Sequence, residues 1–210
     1  MNTPPYRIET DRLVIRCWEP RDAPLLKEAV DASLDHLRPW MPWAAHEPQT
    51  LDQKIELLRA FRGEFDLGTN FVYGLFERDE SRVLGGSGFH ARGGEGSLEI
   101  GYWIRADSVG RGLATEVTAV LTRAGFEICA LERVDVQVEP DNEPSLRIPR
   151  KLGFVEEGRL RRRLEPGSDG GGRRDSILFT MLPEELAGSP AVGVAYSAFD
   201  VVGRKIEVAR

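Results

Sequence analysis

The chain has 210 residues, 41% hydrophobic and 30% charged, enough to enclose a real core in one generous domain or one domain with an appendage. A net charge of −6 argues against a nucleic-acid-binding surface as the main business; it suits a cationic substrate somewhat better, and an ordinary solvated surface better still. Two cysteines, Cys17 and Cys129, form neither a disulfide framework nor a metal-ligand spacing, so no metal is expected. Residues 1–5 lack the basic and apolar regions of a leader, and no apolar run approaches membrane-spanning length. A cytoplasmic protein with reduced thiols, and no nucleic-acid or membrane partner, is the expectation.

Residues 6–18 read as one strand, with Leu13, Ile15 and Cys17 alternating with Arg12, Val14 and Arg16. A turn at 19–22 then offers Asp22 as N-cap for a helix through Leu25, Leu26, Ala29 and Val30. The segment Leu37-Arg38-Pro39-Trp40-Met41-Pro42-Trp43 is dense in aromatics and prolines. Trp40 and Trp43 fit either core anchors or the wall of a substrate pocket. Residues 50–65 form an amphipathic helix, and from Asn70 the pattern changes to strands at 71–77, 83–90 and 98–104, joined by short turns. The second of these is glycine-rich and so expected to be irregular or bulged.

The stretch Leu98-Glu99-Ile100-Gly101-Tyr102-Trp103-Ile104 leads into Ser108-Val109-Gly110-Arg111-Gly112-Leu113-Ala114-Thr115-Glu116. After Gly112, Leu113, Val117, Val120, Leu121, Ala124, Ile128 and Leu131 recur at helical spacing. A strand, a glycine turn and a helix N-terminus with free N–H groups favour an anion such as a pyrophosphate. A ligand-free tight connection is the plainer alternative. No G-K-[ST] follows, which excludes a Walker loop, and the third glycine of a dinucleotide fingerprint is missing.

Residues 133–138 alternate cleanly as a further strand, so one βαβ unit lies inside a mostly antiparallel sheet, an α+β arrangement. Asn142-Glu143-Pro144-Ser145 opens a helix ending at Gly153, with a short first turn or local distortion expected at Pro149. A closing hairpin follows at 154–164 and 175–182 around a glycine-rich loop at 166–174. Arg159, Arg161, Arg162, Arg163, Arg173 and Arg174 concentrate positive charge there. They fit a solvated sheet edge, with an acidic partner or the 3′-phosphate of coenzyme A as alternatives. Residues 184–210 read as a C-terminal extension to a domain over 1–183, and their structure stays open between strands and a tethered tail.

Several motifs recur in order: Glu9-Thr10-Asp11-Arg12-Leu13-Val14-Ile15-Arg16, Trp40-Met41-Pro42-Trp43, Glu99-Ile100-Gly101-Tyr102-Trp103-Ile104, Gly110-Arg111-Gly112-Leu113-Ala114 with Thr115-Glu116, and Asn142-x-x-Ser145 before Lys151-Leu152-Gly153-Phe154. Together they resemble the GNAT acetyltransferases, in the branch with the ribosomal-protein N-terminal acetyltransferases RimJ and RimL. The likeness covers residues 6–182. Its one departure is Val109, where the family's loop carries a polar residue.

The resemblance implies the GNAT fold, a central mostly antiparallel twisted sheet of about six or seven strands with helices on both faces. It implies acetyl-CoA as co-substrate, without a metal, and an amine acceptor, either a protein N-terminus or a small molecule; a homodimer is compatible with it. Ile100, Gly101, Tyr102, Trp103 and Ile104 would line the pantetheine. Val109, Gly110, Arg111, Gly112, Leu113, Ala114 and Thr115 would hold the pyrophosphate. A backbone N–H near Gly101 or Tyr102 would stabilise the oxyanion. Glu99 falls where relatives carry a general base, although an exposed strand carboxylate reads equally well. Ser145 falls where many relatives protonate the leaving thiolate, and equally fits a helix cap. Asn142 would bond the pantetheine or fix its loop. Direct attack in a ternary complex would leave Cys17 and Cys129 unacetylated. A coenzyme-A-binding module without transferase activity is the alternative from another class; retention of Glu99, Ser145 and Asn142 beside an intact loop favours the enzyme.

Overall fold

Short apolar and aromatic runs separated by turns build the sheet of this protein, and amphipathic segments between them cover its faces. The computed structural model describes residues 2–167 and 171–208, so part of the glycine-rich loop read at 166–174 lies outside the described residues, as do positions 1, 209 and 210. The strands are β1 (Arg7–Glu9), β2 (Val14–Cys17), β3 (Phe71–Phe76), β4 (Val83–His90), β5 (Ser97–Ile104), β6 (Arg133–Val138), β7 (Val155–Leu164), β8 (Arg174–Met181), β9 (Ser197–Phe199) and β10 (Lys205–Ile206). The helices are α1 (Ala23–Asp31), α2 (Leu34–Leu37), α3 (Leu51–Leu67), α4 (Leu113–Glu127) and α5 (Glu143–Leu152). All ten strands join one sheet in the order β10-β9-β1-β2-β3-β4-β5-β6-β8-β7, more than the six or seven expected. The surplus has a simple source. Residues 6–18 are two strands rather than one, because Thr10 turns the chain: its N–H donates to the Leu13 carbonyl and its hydroxyl accepts from the Leu13 N–H at 3.0 Å. The segment after Pro183 supplies β9, which pairs with β1, and β10, which pairs with β9.

Every neighbouring pair with a registered ladder is antiparallel except β5 and β6, which the crossover helix α4 makes parallel. One face packs α1 and α3 on Val14, Trp18 and Phe76. The other packs α4 and α5 on Phe89, Ile100, Val136 and Phe179. Thr50 caps α3 by accepting from the Gln53 N–H at 3.2 Å, and Gln53 returns the bond to the Thr50 N–H at 2.8 Å. Asp22 precedes α1 but does not cap it. Its carboxylate accepts from Arg16 at 2.7 and 2.9 Å and from the Glu19 N–H at 2.9 Å. The long helix ends at Glu127 rather than running to Leu131, since Ala130 takes a positive φ of 54° and the Leu131 N–H turns back to the Gly125 carbonyl. The glycine-rich β4 does carry its irregularity: pairing to β3 jumps from Leu75↔Gly85 to Phe76↔Val83.

The aromatic-proline segment is irregular, yet it is anchored. Glu47 and Lys54 form an ion pair with side chains only 2% and 1% exposed, and Glu47 also accepts from the Gln49 N–H at 2.9 Å. Stripping one partner would leave a buried charge without its counter-ion. Lys54→Met is therefore expected to lose about 3–5 kcal/mol of unfolding free energy, read from urea denaturation, far beyond the cost of an ordinary surface substitution.

Candidate active site

The site begins where the sheet stops being continuous. β5 pairs with β6 at Ser97↔Arg133, Leu98↔Val134 and Glu99↔Asp135, and then the two strands part. Beyond Glu99, β6 stays with β8, while β5 runs on to Ile104 beside β4 alone. A wedge opens between them, lined by strand backbone that has no ladder partner on that side. An extended amide-bearing arm fits such an edge, since it supplies the hydrogen bonds that a strand would. Alternation divides the predicted residues. Ile100, Tyr102 and Ile104 face α4 and α5, with Ile100 and Ile104 in the core. Glu99, Gly101 and Trp103 lie on the α1–α3 side, where Trp103 packs against that cluster.

Tyr102 crosses the wedge. Its hydroxyl donates to the Ser145 carbonyl at 3.3 Å, and burial pushes its pKa above the ordinary phenol value, so it stays a protonated donor. This bond also explains how α5 runs through Pro149 to Leu152, where the sequence predicts a short first turn or local distortion. Proline has no N–H for the carbonyl four residues back, and that carbonyl is Ser145, which Tyr102 satisfies instead. Asn142 caps α5, its Oδ1 accepting from the Ser145 N–H at 3.2 Å. The Ser145 hydroxyl forms no hydrogen bond among the described residues.

At the end of β5 the chain reaches Gly110 and Gly112, at φ of +75° and +77°. Left-handed backbone at both positions is open to glycine and costs other residues about 1–2 kcal/mol each. Gly112 is the N-cap of α4 and offers no side chain, so the first N–H groups of the helix face outward uncapped. Val109, Gly110 and Arg111 are exposed and Ala114 and Thr115 half-buried, whereas the Leu113 side chain is in the core and leaves only its backbone to the loop. The β1–β2 turn braces this helix end. Thr10 Oγ1 donates to Glu116 at 2.6 Å, Arg12 Nε donates to the same carboxylate at 2.7 Å, and Arg12 Nη1 donates to the Arg111 carbonyl at 3.0 Å. Arg12 thereby neutralises an acid in the first turn of a helix whose end is suited to an anion.

Glu99 is buried, not the exposed strand carboxylate of the plainer reading. Arg92 Nη1 and Gln137 Nε2 each donate to it at 2.8 Å, on separate oxygens. Gln137 is itself oriented, since its Oε1 accepts from Ser176 at 2.8 Å. Gly101 neighbours Glu99 on this face, and across the ladder stand Gly88 and Gly86. These glycines leave a floor without side chains; a Cβ on Gly86 would lie 2.5 Å from Trp103 Nε1. Trp103 closes one end, with Trp43 edge-on above it at 5.9 Å between ring centroids. Trp43 is 36% exposed and Trp40 half-buried, so Trp43 is no core anchor. Arg174 ties their loop to the closing hairpin by donating to the Pro39 carbonyl at 3.0 Å and pairing with Glu139. Arg173 and Arg159 likewise serve the hairpin itself, through the Arg162 carbonyl and Asp175. Gln137, Arg174 and the Arg12–Glu116 brace escape sequence reasoning as site residues because each acts across a long chain separation, and Arg92 because it reaches Glu99 from the far side of a turn; the strand period over 83–90 is the one signal that could have put His90 on the face of Glu99.

Among the described residues no group of three or more His, Cys, Asp or Glu side chains could hold a metal ion, and no helix is long and apolar enough to cross a membrane. Arg12→Ala is expected to weaken binding of a pyrophosphate-bearing ligand at this helix end about tenfold, with coenzyme A as the calorimetric probe, because it frees the Glu116 carboxylate; Glu116→Gln added to it should restore most of the loss.

A family model described as an acetyltransferase (GNAT) domain matches residues 12–155. The Bacillus subtilis protein named uncharacterized N-acetyltransferase YoaA is 31% identical over 155 residues, 73% of this chain and 85% of that protein. The ribosomal protein uS5-alanine N-acetyltransferase of Escherichia coli is 29% identical over 162 residues, 75% of this chain and 82% of its own. Among solved structures, Mycobacterium smegmatis RimJ in complex with CoA-disulfide superposes with a TM-score of 0.78 at 27% identity, covering 90% of this chain and 92% of that one.

Proposed function

The chain belongs to the GNAT acetyltransferase family and is an N-acetyltransferase; from that premise we propose that it moves an acetyl group from acetyl-CoA to the α-amine of a protein or peptide in a single ternary complex. The observation that carries this reading is the β5–β6 wedge, with an uncapped α4 N-terminus at one end and the buried carboxylate of Glu99 at the other. The unpaired backbone of 100–104 would take the pantetheine amides, and the N–H groups of 109–115 the pyrophosphate. A β5 N–H near Gly101 or Tyr102 would hold the developing oxyanion.

Glu99 receives the ammonium proton, directly or through a water, and the amine lone pair so freed attacks the thioester carbon. Arg92 and Gln137 keep that carboxylate aimed. The Ser145 hydroxyl, without a hydrogen bond among the described residues, protonates the thiolate as the carbon–sulfur bond breaks and regains a proton from the new amide nitrogen, which sheds its second one. Asn142 fixes the turn that carries Ser145. Trp40 and Trp43 wall the acceptor's approach between their loop and the closing hairpin. An α-amine titrates near about 8 and a lysine amine near about 10.4, so the α-amine is the easier one to deprotonate at neutral pH. The name of the Escherichia coli relative points to the same acceptor class, a ribosomal protein.

A panel of peptides and small amines with acetyl-CoA, read by thiol release, tests the acceptor class. Glu99→Gln, which keeps an acceptor for Arg92, is expected to lower kcat by roughly ten- to ten-thousandfold with CoA affinity nearly unchanged. The deficit should shrink at high pH, where the amine is already neutral. Wild-type kcat across the pH range would remove Glu99 from the mechanism.

Burial pushes the Cys17 thiol up to about 11 and the Cys129 thiol up to about 12, so both stay protonated and unreactive at neutral pH. Mass spectrometry after mixing with acetyl-CoA is expected to find neither cysteine acetylated, and their joint replacement by alanine should leave turnover largely intact where the fold survives.

A further inference from the structure

His90 ends β4 directly opposite Glu99 in the β4–β5 register. Its ring lies over the glycine floor: a Cβ on Gly88 would stand 3.0 Å from Nε2, and one on Gly101 3.3 Å from it. Two further bonds decide which nitrogen carries the proton. Asn70 Nδ2 donates to Glu64 Oε2 at 2.8 Å. A carboxylate only accepts, so this contact orients the amide and turns Asn70 Oδ1 toward His90 Nδ1, 2.9 Å away. An amide oxygen also only accepts, so Nδ1 bears the hydrogen. Nε2 keeps its lone pair, with no hydrogen-bond partner among the described residues.

We propose that His90 Nε2 is a second hydrogen-bond acceptor for the nitrogen of the incoming primary amine, set beside Glu99 on the floor of the acceptor groove. This rests on the amine-acetylating reading of the site. An ammonium that gives one proton to Glu99 keeps two N–H groups and gains a lone pair. The lone pair points at the thioester carbon only if the N–H groups are turned elsewhere, and an acceptor on the flank does that. A neutral imidazole suits the task better than a second carboxylate, because it takes a hydrogen bond without competing for the proton. Burial and the Arg92 charge push His90 down to about 4, which keeps the ring uncharged at neutral pH. The charged groups around it are Arg92 after β4, Glu99 on β5 and, behind Asn70, Glu64 on α3. A secondary amine, left with one N–H once neutral, cannot satisfy both acceptors.

The test has an arm that needs no turnover. The chain holds three histidines, His36, His46 and His90, and the spectrum of His90→Gln assigns the third. In 15N-resolved NMR of the full chain, His90 is expected as the Nδ1–H tautomer, unchanged between about pH 5.5 and 8. An Nε2–H tautomer, or a ring titrating near the ordinary 6.5, overturns the proposal. In the acetylation assay, His90→Leu should lower kcat/KM for a primary-amine acceptor by roughly 10- to 100-fold with acetyl-CoA affinity unchanged. His90→Gln, whose Oε1 reaches the place of Nε2, should recover most of that loss. Full activity in His90→Leu, or a glutamine variant no better than the leucine one, overturns the contact while leaving acetyl transfer standing. A wild-type chain inert toward every amine overturns the acetylation reading and the contact with it.

Discussion

Parallel neighbours in a sheet normally stay paired, because backbone N–H and C=O groups without partners are expensive wherever water is scarce. In this protein β5 and β6 pair at three positions and separate after Glu99, although both strands continue. Two competing attachments hold them apart. β6 remains in register with β8 as far as Val138, and β5 with β4 as far as Ile104. The wedge, the backbone edge inside it and the position of Glu99 at its apex all follow from that divergence. Tyr102 shows how finely the arrangement is balanced, since its hydroxyl spans the opening to a carbonyl that Pro149 leaves without its helical donor.

The charges are arranged for a reaction that brings an anion and a cation to one place. The α4 end is uncapped and positive by its backbone alone, and the acid in its first turn is neutralised by Arg12 and hydrogen-bonded by Thr10, both from a distant hairpin. On the opposite face Glu99 pairs with Arg92 in a groove walled by tryptophans. The two regions lie on different faces of β5, which suits the proposed direct transfer between a donor and an acceptor that approach from opposite sides. The protein spends stability on this arrangement in the form of a fully buried Lys54–Glu47 pair, which seats the aromatic loop.

Local patterns carried much of the architecture. Short runs bounded by turns located the strands at 71–77 and 83–90, clean alternation the one at 133–138, and the spacing after Gly112 located α4. Glycines at 110 and 112 read as a sharp turn before a helix, and both do adopt positive φ. The failures share a cause. The strand at 6–18 broke in two because a single threonine side chain could satisfy a tight turn, an event that alternation does not register. Residues 197–199 carry little β signal; they become a strand because β1 offers them an unpaired edge.

The amino-acid sequence by itself determined the class of fold, the one parallel crossover, the glycine turn ahead of α4 and the two polar residues, Glu99 and Ser145, that the motifs single out. Those features depend on neighbours within a few residues, where propensity, periodicity and turn chemistry act. Only the tertiary structure decided that Glu99 is buried between Arg92 and Gln137, that Arg12 braces the helix end 104 positions away, and that Asn70 fixes the proton of His90 across 20. A side chain's partner, its burial and its proton depend on contacts set by sheet order, and sheet order is a property of the whole chain.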